Sequence, residues 1–163
     1  VRDRRFTHGL ASPPPYPFQV QLPMNFVFRE DPPDRDDFFA LFESTGWNEA
    51  YRLDADALAR AIDASWYRVS AYDGDRLVGF GRVISDGRVH ALIVDLIVDA
   101  GWRRRHLGSL ILERLVDRCL EHGIRDVQLF CARDMAPFYE KNGFERRPED
   151  MPGMQYRRPG DRR

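Results

Sequence analysis

Three consecutive arginines, Arg103 to Arg105, follow the apolar run Leu96-Ile97-Val98 and precede Gly108 and Ser109. After Ser109 the apolar residues recur at helical spacing, so the sequence predicts a strand, a basic loop and the first turn of a helix. The first amides of a helix have no intrahelical acceptors, and the helix dipole favours negative charge there. Arginine side chains add charge-assisted donors, and Gly108 would let a bulky anion approach the backbone. The pattern therefore predicts a site for a phosphate or pyrophosphate.

Composition and known motifs limit what this anion site can be. The chain contains neither GxxxxGK[ST] nor GxGxxG, so neither a P-loop nor a dinucleotide fingerprint is supported. A net charge of -1 over 163 residues argues against nucleic-acid binding by bulk charge, so the site has to be local. Cys119 and Cys131 lack metal-ligand spacing, and we predict no metal site. No apolar run reaches the roughly 18 residues of a membrane span, and no secretory signal is visible, so we expect a cytoplasmic protein without membrane contact.

The elements that would position this site follow an α+β order. A short strand at 25–30 precedes two helices, the first with Asp34 as N-cap and the second within 54–65. Three strands between 66 and 98 are separated by the turn signals Asp73-Gly74 and Asp86-Gly87. A helix over 107–122, a strand at 126–131, a helix at 135–142 and two closing strands, 143–147 and 153–158, complete the prediction. The order is β, αα, βββ, α, β, α, ββ, which predicts one mixed sheet.

The chain is predicted to divide into an arm and a single domain. Residues 1–23 are rich in arginine and proline, and proline cannot enter a helix interior or a central strand. We predict an extended or disordered arm for 1–23, either a genuine extension or a start-site artefact, and a folded domain over 24–163. At 43% hydrophobic residues, the domain has enough apolar side chains for a core.

Two motifs carry a resemblance to a known family. "VDAGWRRRHLGSLIL" resembles the acetyl-CoA loop of the GCN5-related N-acetyltransferases, Q/R-x-x-G-x-G/A, with Arg103 first and Gly108 last. His106 stands where that loop has its middle glycine. "APFYEKNGFE" is similar to the family's second hallmark, a tyrosine-bearing helix before a closing "GF" strand. The resemblance covers the chain from about Met24 to Tyr156.

The resemblance implies a mostly antiparallel, splayed sheet flanked by about four helices, with acetyl-CoA as co-substrate. Acetyl-CoA would lie between the strand ending at Val98 and the strand "VQLFC". Backbone groups of Leu96, Ile97 and Val98 would pair with the pantetheine arm. The pyrophosphate would bind at the loop and helix start, formed by Arg103, Arg104, Arg105, His106, Leu107, Gly108 and Ser109. Tyr139 would protonate the departing sulfur, whereas Ala132 replaces an asparagine often found seven residues before that tyrosine.

Acyl transfer to an amine requires a deprotonated amine, a polarised thioester carbonyl and a proton for the leaving thiolate. The amide of Val98 is a candidate donor to the carbonyl. We take Asp95 as the first candidate base, directly or through water, and His90 as the second.

The acceptor is expected to be the primary amine of a small molecule. The two N-terminal helices and the C-terminal "PEDMPGMQY" would form its site, with Trp47, Tyr51, Trp66, Met151 and Met154 as an apolar lining. The segments "SDGRVHALIVDLIVD" and "GMQY" are similar to a subgroup that includes arylalkylamine (serotonin-type) acetyltransferases. Acetylation of a protein N-terminus or lysine, and a CoA-binding regulatory module without turnover, are the alternatives. A homodimer is a further expectation, because dimers are common in the family.

Overall fold

The computed structural model describes residues 26–156, which form a five-stranded sheet with helices on both faces. The predicted arm, 1–23, lies outside these residues. The elements in chain order are β1 (Val27–Arg29), α1 (Arg35–Glu43), α2 (Asn48–Tyr51), α3 (Ala55–Asp63), β2 (Tyr67–Asp73), β3 (Arg76–Ser85), β4 (His90–Val98), α4 (Leu107–Glu121), β5 (Asp126–Leu129) and α5 (Ala136–Lys141). A short 3-10 helix, Ala100–Trp102, follows β4.

The strands follow one another across the sheet in the order β1-β2-β3-β4-β5. Neighbouring strands from β1 to β4 are antiparallel, and β4 pairs with β5 in parallel. The helix α4 supplies the crossover that a parallel pair requires. The prediction of an α+β protein with a mixed, mostly antiparallel sheet is confirmed.

Local sequence explains where the helices begin and end. The carboxylate of Asp34 accepts hydrogen bonds from the first amides of α1, at Asp36 and Asp37, and Asp54 caps α3 in the same way. At the end of α4 the chain turns at Gly123, whose φ of 76° lies in the left-handed region that favours glycine.

The helix α4 packs on one face of the sheet and buries an apolar stripe, and α1 and α3 cover part of the other face. The stripe of α4 consists of Leu107, Ile111, Leu112, Leu115 and Cys119, none more than 1% exposed. Two glycines of β3 allow this close approach. A Cβ at Gly79 would lie 2.7 Å from Ile111 Cδ1, and one at Gly81 would lie 2.8 Å from Leu115 Cδ1.

The structure differs from the prediction in two places. An additional single-turn helix, α2, follows α1. The two predicted closing strands are absent as far as the structure describes the chain, up to residue 156. The charged residues after Phe144 offer no apolar face, and Pro148 and Pro152 cannot donate to a strand ladder.

Within residues 26–156, none of the helices combines the length and apolar character needed to span a membrane.

Candidate functional site

A gap opens in the sheet where β4 and β5 separate. The parallel pairing covers four residues of β4, from His90 to Ile93, against Asp126 to Leu129. Beyond Ile93, β4 continues to Val98 paired with β3 alone. The backbone of residues 94–98 therefore presents an unpaired edge toward the gap, which an extended ligand can pair with as a strand would.

A β-bulge shapes this edge of β4. Phe80 pairs with Ile97 and Arg82 pairs with Val94, so two residues of β4, Asp95 and Leu96, lie opposite one residue of β3. Asp95 has a φ of 52°, in the left-handed region. Because a bulge bends its strand, it changes the direction of β4 where the gap begins.

The carboxylate of Asp95 is held by an arginine that the sequence reasoning missed. Arg82 Nε donates to Asp95 Oδ2 at 2.6 Å, and the two side chains are 15% and 21% exposed. The carboxylate has no other hydrogen bond within residues 26–156, so Oδ1 keeps its capacity to accept one. The available signal was an arginine inside the otherwise apolar run of β3.

The predicted anion site lies at the end of β4, where the loop leads into α4. The first intrahelical bond runs from Leu110 N to His106 O. Within the described chain, the amides of Leu107, Gly108 and Ser109 therefore have no acceptor, as expected of a helix start. These amides and the dipole of a 15-residue helix favour an anion at this point.

The basic loop has an unusual backbone. Arg104 and His106 have φ values of 61° and 59°, so two residues other than glycine occupy the left-handed region. His106, the N-cap of α4, makes no side-chain cap bond. All three arginines are exposed, and Arg103 Nε donates to Val98 O at 3.2 Å. The loop thus places its positive charge beside the free amides of α4.

Gly108, in the first turn of α4, lies beside α5 and the end of β4. A Cβ at this position would lie 3.4 Å from the ring of Phe138 and 3.6 Å from Val98 Cγ2. These distances are ordinary van der Waals contacts, so α5 packs beside the first turn of α4 and would leave room for a Cβ at position 108. The expectation that Gly108 makes room for a phosphate stays a prediction.

Tyr139 lies on α5, half-buried between Phe138 and Phe144, with ring centroids 5.0 Å and 6.1 Å away. Its hydroxyl makes no hydrogen bond to any residue that the structure describes. Burial, which disfavours the phenolate, raises the pKa of Tyr139, and the nearby Cys131 thiol contributes further in the same direction. The hydroxyl consequently keeps its proton at neutral pH and can act as a donor.

Two of the predicted residues lie at the opposite end of the sheet. His90 begins β4, eight residues before Val98, or roughly 26 Å along the strand. There it pairs with Asp126, with 2.5 Å between Nδ1 and Oδ2. Trp66 packs on His122, beside the C-terminal end of α4. His90 is therefore too distant to act directly as the base, and Trp66 does not line an acceptor site at the gap.

The other residues of the expected acceptor lining lie nearer the surface. Trp47 and Tyr51 pack on Phe42, with centroid distances of 6.0 Å and 6.4 Å. Met151 and Met154 are exposed. The exposed surface of residues 31–63 is predominantly acidic: it carries Asp31, Asp34, Asp36, Asp37, Glu43, Glu49, Asp54, Asp56 and Asp63 against Arg35, Arg52 and Arg60.

Between residues 26 and 156, no group of three or more His, Cys, Asp or Glu side chains is arranged to hold a metal ion.

An open strand edge beside the free amides of a helix is an arrangement that suits an extended ligand with a phosphate-bearing end. The sequence model of the Acetyltransferase (GNAT) family matches residues 25–144. The chain therefore belongs to the GCN5-related N-acetyltransferase family, and the resemblance found in the sequence is confirmed.

Individual relatives agree with this family. A histone acetyltransferase of Glycine max is 31% identical over 129 residues, which cover 72% of this chain and 54% of that protein. A chloroplastic serotonin N-acetyltransferase of Oryza sativa is 30% identical over 66% of this chain and 56% of its own. The chain thus spans about half the length of these curated relatives. The structure of a GNAT-family acetyltransferase from Streptococcus pneumoniae superposes with a TM-score of 0.70, at 26% identity, over 82% of this chain and 98% of that one.

Proposed function

We propose that this protein is an N-acetyltransferase that transfers the acetyl group of acetyl-CoA to the primary amine of a small molecule. The observation that carries the proposal is the gap between β4 and β5, which ends at the free amides of α4. Acetyl-CoA has an extended pantetheine arm, which the open edge of residues 94–98 suits. It also has a pyrophosphate, which suits the amides of Leu107 to Ser109 and the cations Arg103 to Arg105.

The residues around the gap can be given roles in a direct transfer. Asp95 Oδ1, directly or through a water molecule, accepts a proton from the substrate ammonium. The free amine attacks the thioester carbonyl carbon, and the amide of Val98 donates to the oxygen on which negative charge develops. The nitrogen of the tetrahedral adduct releases its second proton to water, the carbon–sulfur bond breaks, and Tyr139 donates its proton to the thiolate. The products are the acetylated amine and CoA thiol, while Asp95 releases its proton to solvent and Tyr139 recovers one from it.

The proposal is tested by incubating the purified chain with acetyl-CoA and a panel of primary amines, aromatic and aliphatic. Acetylated products would be identified by mass spectrometry. We expect turnover that saturates with at least one small amine and requires protein. Binding of acetyl-CoA without turnover on any amine or peptide would instead favour a CoA-binding regulatory module.

A second acceptor class is favoured by the acidic surface of residues 31–63. Such a surface attracts cationic ligands, and a lysine-rich peptide carries both positive charge and primary amines. The relative from Glycine max is named a histone acetyltransferase. A panel that includes lysine-rich peptides separates the two acceptors, because a protein acetyltransferase would have a higher kcat/KM for peptides than for small amines.

The compartment and the assembly of the protein stay predictions. We predict a cytoplasmic protein, although the relative from Oryza sativa is named chloroplastic. Cell fractionation would test the location, and light scattering of the purified chain would test the predicted homodimer.

A further inference from the structure

Arg82 connects the bulge of β4 to the helix α3. Besides the contact from Nε to Asp95, its NH1 group donates to Ala61 O at 3.1 Å and lies 3.3 Å from Ser65 Oγ. Ala61 belongs to the last turn of α3, where the carbonyls have no intrahelical donors. One planar guanidinium thus bridges a carboxylate beside the gap and the end of a helix.

The backbone conformation of Asp95 requires support from neighbouring residues, which the contact with Arg82 supplies. Asp95 occupies the left-handed region, which costs a residue other than glycine some conformational energy and therefore has to be held by its surroundings. The contact at 2.6 Å fixes Oδ2 and leaves Oδ1 as the free acceptor of the carboxylate. Both side chains are mostly buried, so the pair is weakly screened by solvent.

We infer that Arg82 is a positioning residue for the acetyl transfer. It holds the Asp95 carboxylate at the gap and fixes the end of α3 relative to that carboxylate, so that the acceptor amine and its base keep a defined separation. This inference rests on the proposed function and assigns Arg82 no contact with either substrate.

Arg68 provides a matched control, because it shares with Arg82 only a hydrogen bond to the end of α3. Arg68 and Arg82 are direct partners across β2 and β3. Arg68 NH1 donates to Ile62 O at 2.7 Å, so it also binds a carbonyl at the end of α3. It makes no hydrogen bond with Asp95 within the described chain. The loss of Arg68 should therefore weaken the end of α3 and leave the carboxylate in place.

The kinetic test compares Arg82→Met with Arg68→Met in the full chain. We expect Arg82→Met to lower kcat for the preferred amine about 10²-fold, a loss that misplacement by about 1 Å is able to cause. The KM for acetyl-CoA should change less than about threefold, because the amides of α4 are untouched. Arg68→Met should lower the melting temperature and leave kcat near the wild-type value. An equal loss of kcat in both variants, or a folded Arg82→Met with wild-type kcat, would overturn the inference.

Lysine variants keep the test decisive if the methionine variants do not fold. A lysine ammonium can reach either Asp95 or α3, but it lacks the fork that spans both. Arg82→Lys should therefore recover part of the lost kcat, whereas Arg68→Lys should match wild type. A folded Arg82→Lys with full wild-type kcat would contradict the positioning role.

A spectroscopic measurement separates this inference from the proposed function. The Nε–H of Arg82 should give an NMR signal protected from exchange with water, and Asp95→Ala should abolish that protection. An unprotected signal in the wild-type chain would overturn the positioning of Asp95 regardless of turnover. A protected signal in a chain that acetylates no amine would support the Arg82–Asp95 arrangement and refute the proposed function.

Discussion

Replacement of His106 by glycine tests the backbone of the anion loop. His106 has φ 59° and ψ 2°, and neither its imidazole nor any other part of its side chain caps α4. For an L-residue the left-handed region costs roughly 1–2 kcal/mol, and histidine is among the residues that tolerate it better, so we take about 1 kcal/mol. Glycine removes this cost. Its greater conformational freedom, however, stabilises the unfolded chain by roughly 0.4–1 kcal/mol. His106→Gly should therefore be as stable as wild type or slightly more stable.

Alanine at the same position supplies the reference, because it removes the imidazole but keeps the strain. His106→Gly should exceed His106→Ala in the free energy of unfolding by about 1 kcal/mol. This difference corresponds to about 2–4 °C in the melting temperature of a domain of this size. Differential scanning calorimetry of both variants measures it.

Arg103 gives the opposite expectation within the same loop. Its φ of -64° and ψ of 159° are extended and available to any residue. Arg103→Gly should therefore be less stable than Arg103→Ala, by roughly 0.5–1 kcal/mol. If glycine is also the less stable choice at position 106, the left-handed conformation of His106 is refuted.

Three further outcomes are expected. Gly81→Ala should lower the free energy of unfolding by roughly 1–3 kcal/mol, since the new Cβ would meet Leu115 and Ile111 at 2.8 Å and 2.9 Å; an unchanged denaturation midpoint would contradict the packing of α4 on β3. Asp34→Ala should cost about 1 kcal/mol through loss of the N-cap of α1, measured by urea denaturation, and a neutral result would argue against that cap. Because the pKa of Tyr139 is raised, the unfolded chain loses this proton first as the pH rises above about 10, so wild type should lose stability there relative to Tyr139→Phe. Parallel unfolding curves of the two proteins across pH 9–11.5 would refute the burial of this hydroxyl.

The sequence was sufficient for those parts of the fold that depend on local patterns. Asp34, the turns at Gly74 and Gly87, and the apolar stripe of α4 all act within a few residues of their own position. The predicted helices and the strands β1 to β5 follow from such patterns. The prediction of two closing strands was wrong as far as residue 156. A Gly-Phe pair at 143–144 does not indicate whether the charged, proline-containing residues after it can pair with a neighbouring strand.

The local structure of the candidate site was predictable where one segment contains it. The run from Val98 to Ser109 is continuous, and the structure places it as one loop and helix start. Arg82 was missed because its partner Asp95 is 13 residues away, and the pairing depends on a bulge that no local pattern indicates. His90 and Trp66 were expected at the site but lie at the other end of the sheet. His90 begins β4 and Trp66 directly precedes β2, and local patterns do not indicate which end of a strand lies at the gap.

The direct test of the account is the single-turnover rate of acetyl transfer in Tyr139→Phe. The substitution removes one oxygen and keeps the ring packing against Phe138 and Phe144, so the melting temperature and the affinity for acetyl-CoA should change little. If the hydroxyl protonates the departing thiolate, the chemical step should slow about 10²- to 10⁴-fold, nearer the lower value because a thiolate is a weak base. A single-turnover measurement is needed because slow product release would hide the defect. A Tyr139→Phe variant that transfers acetyl at the wild-type chemical rate would contradict the account, and Tyr139 would then be a residue of the core.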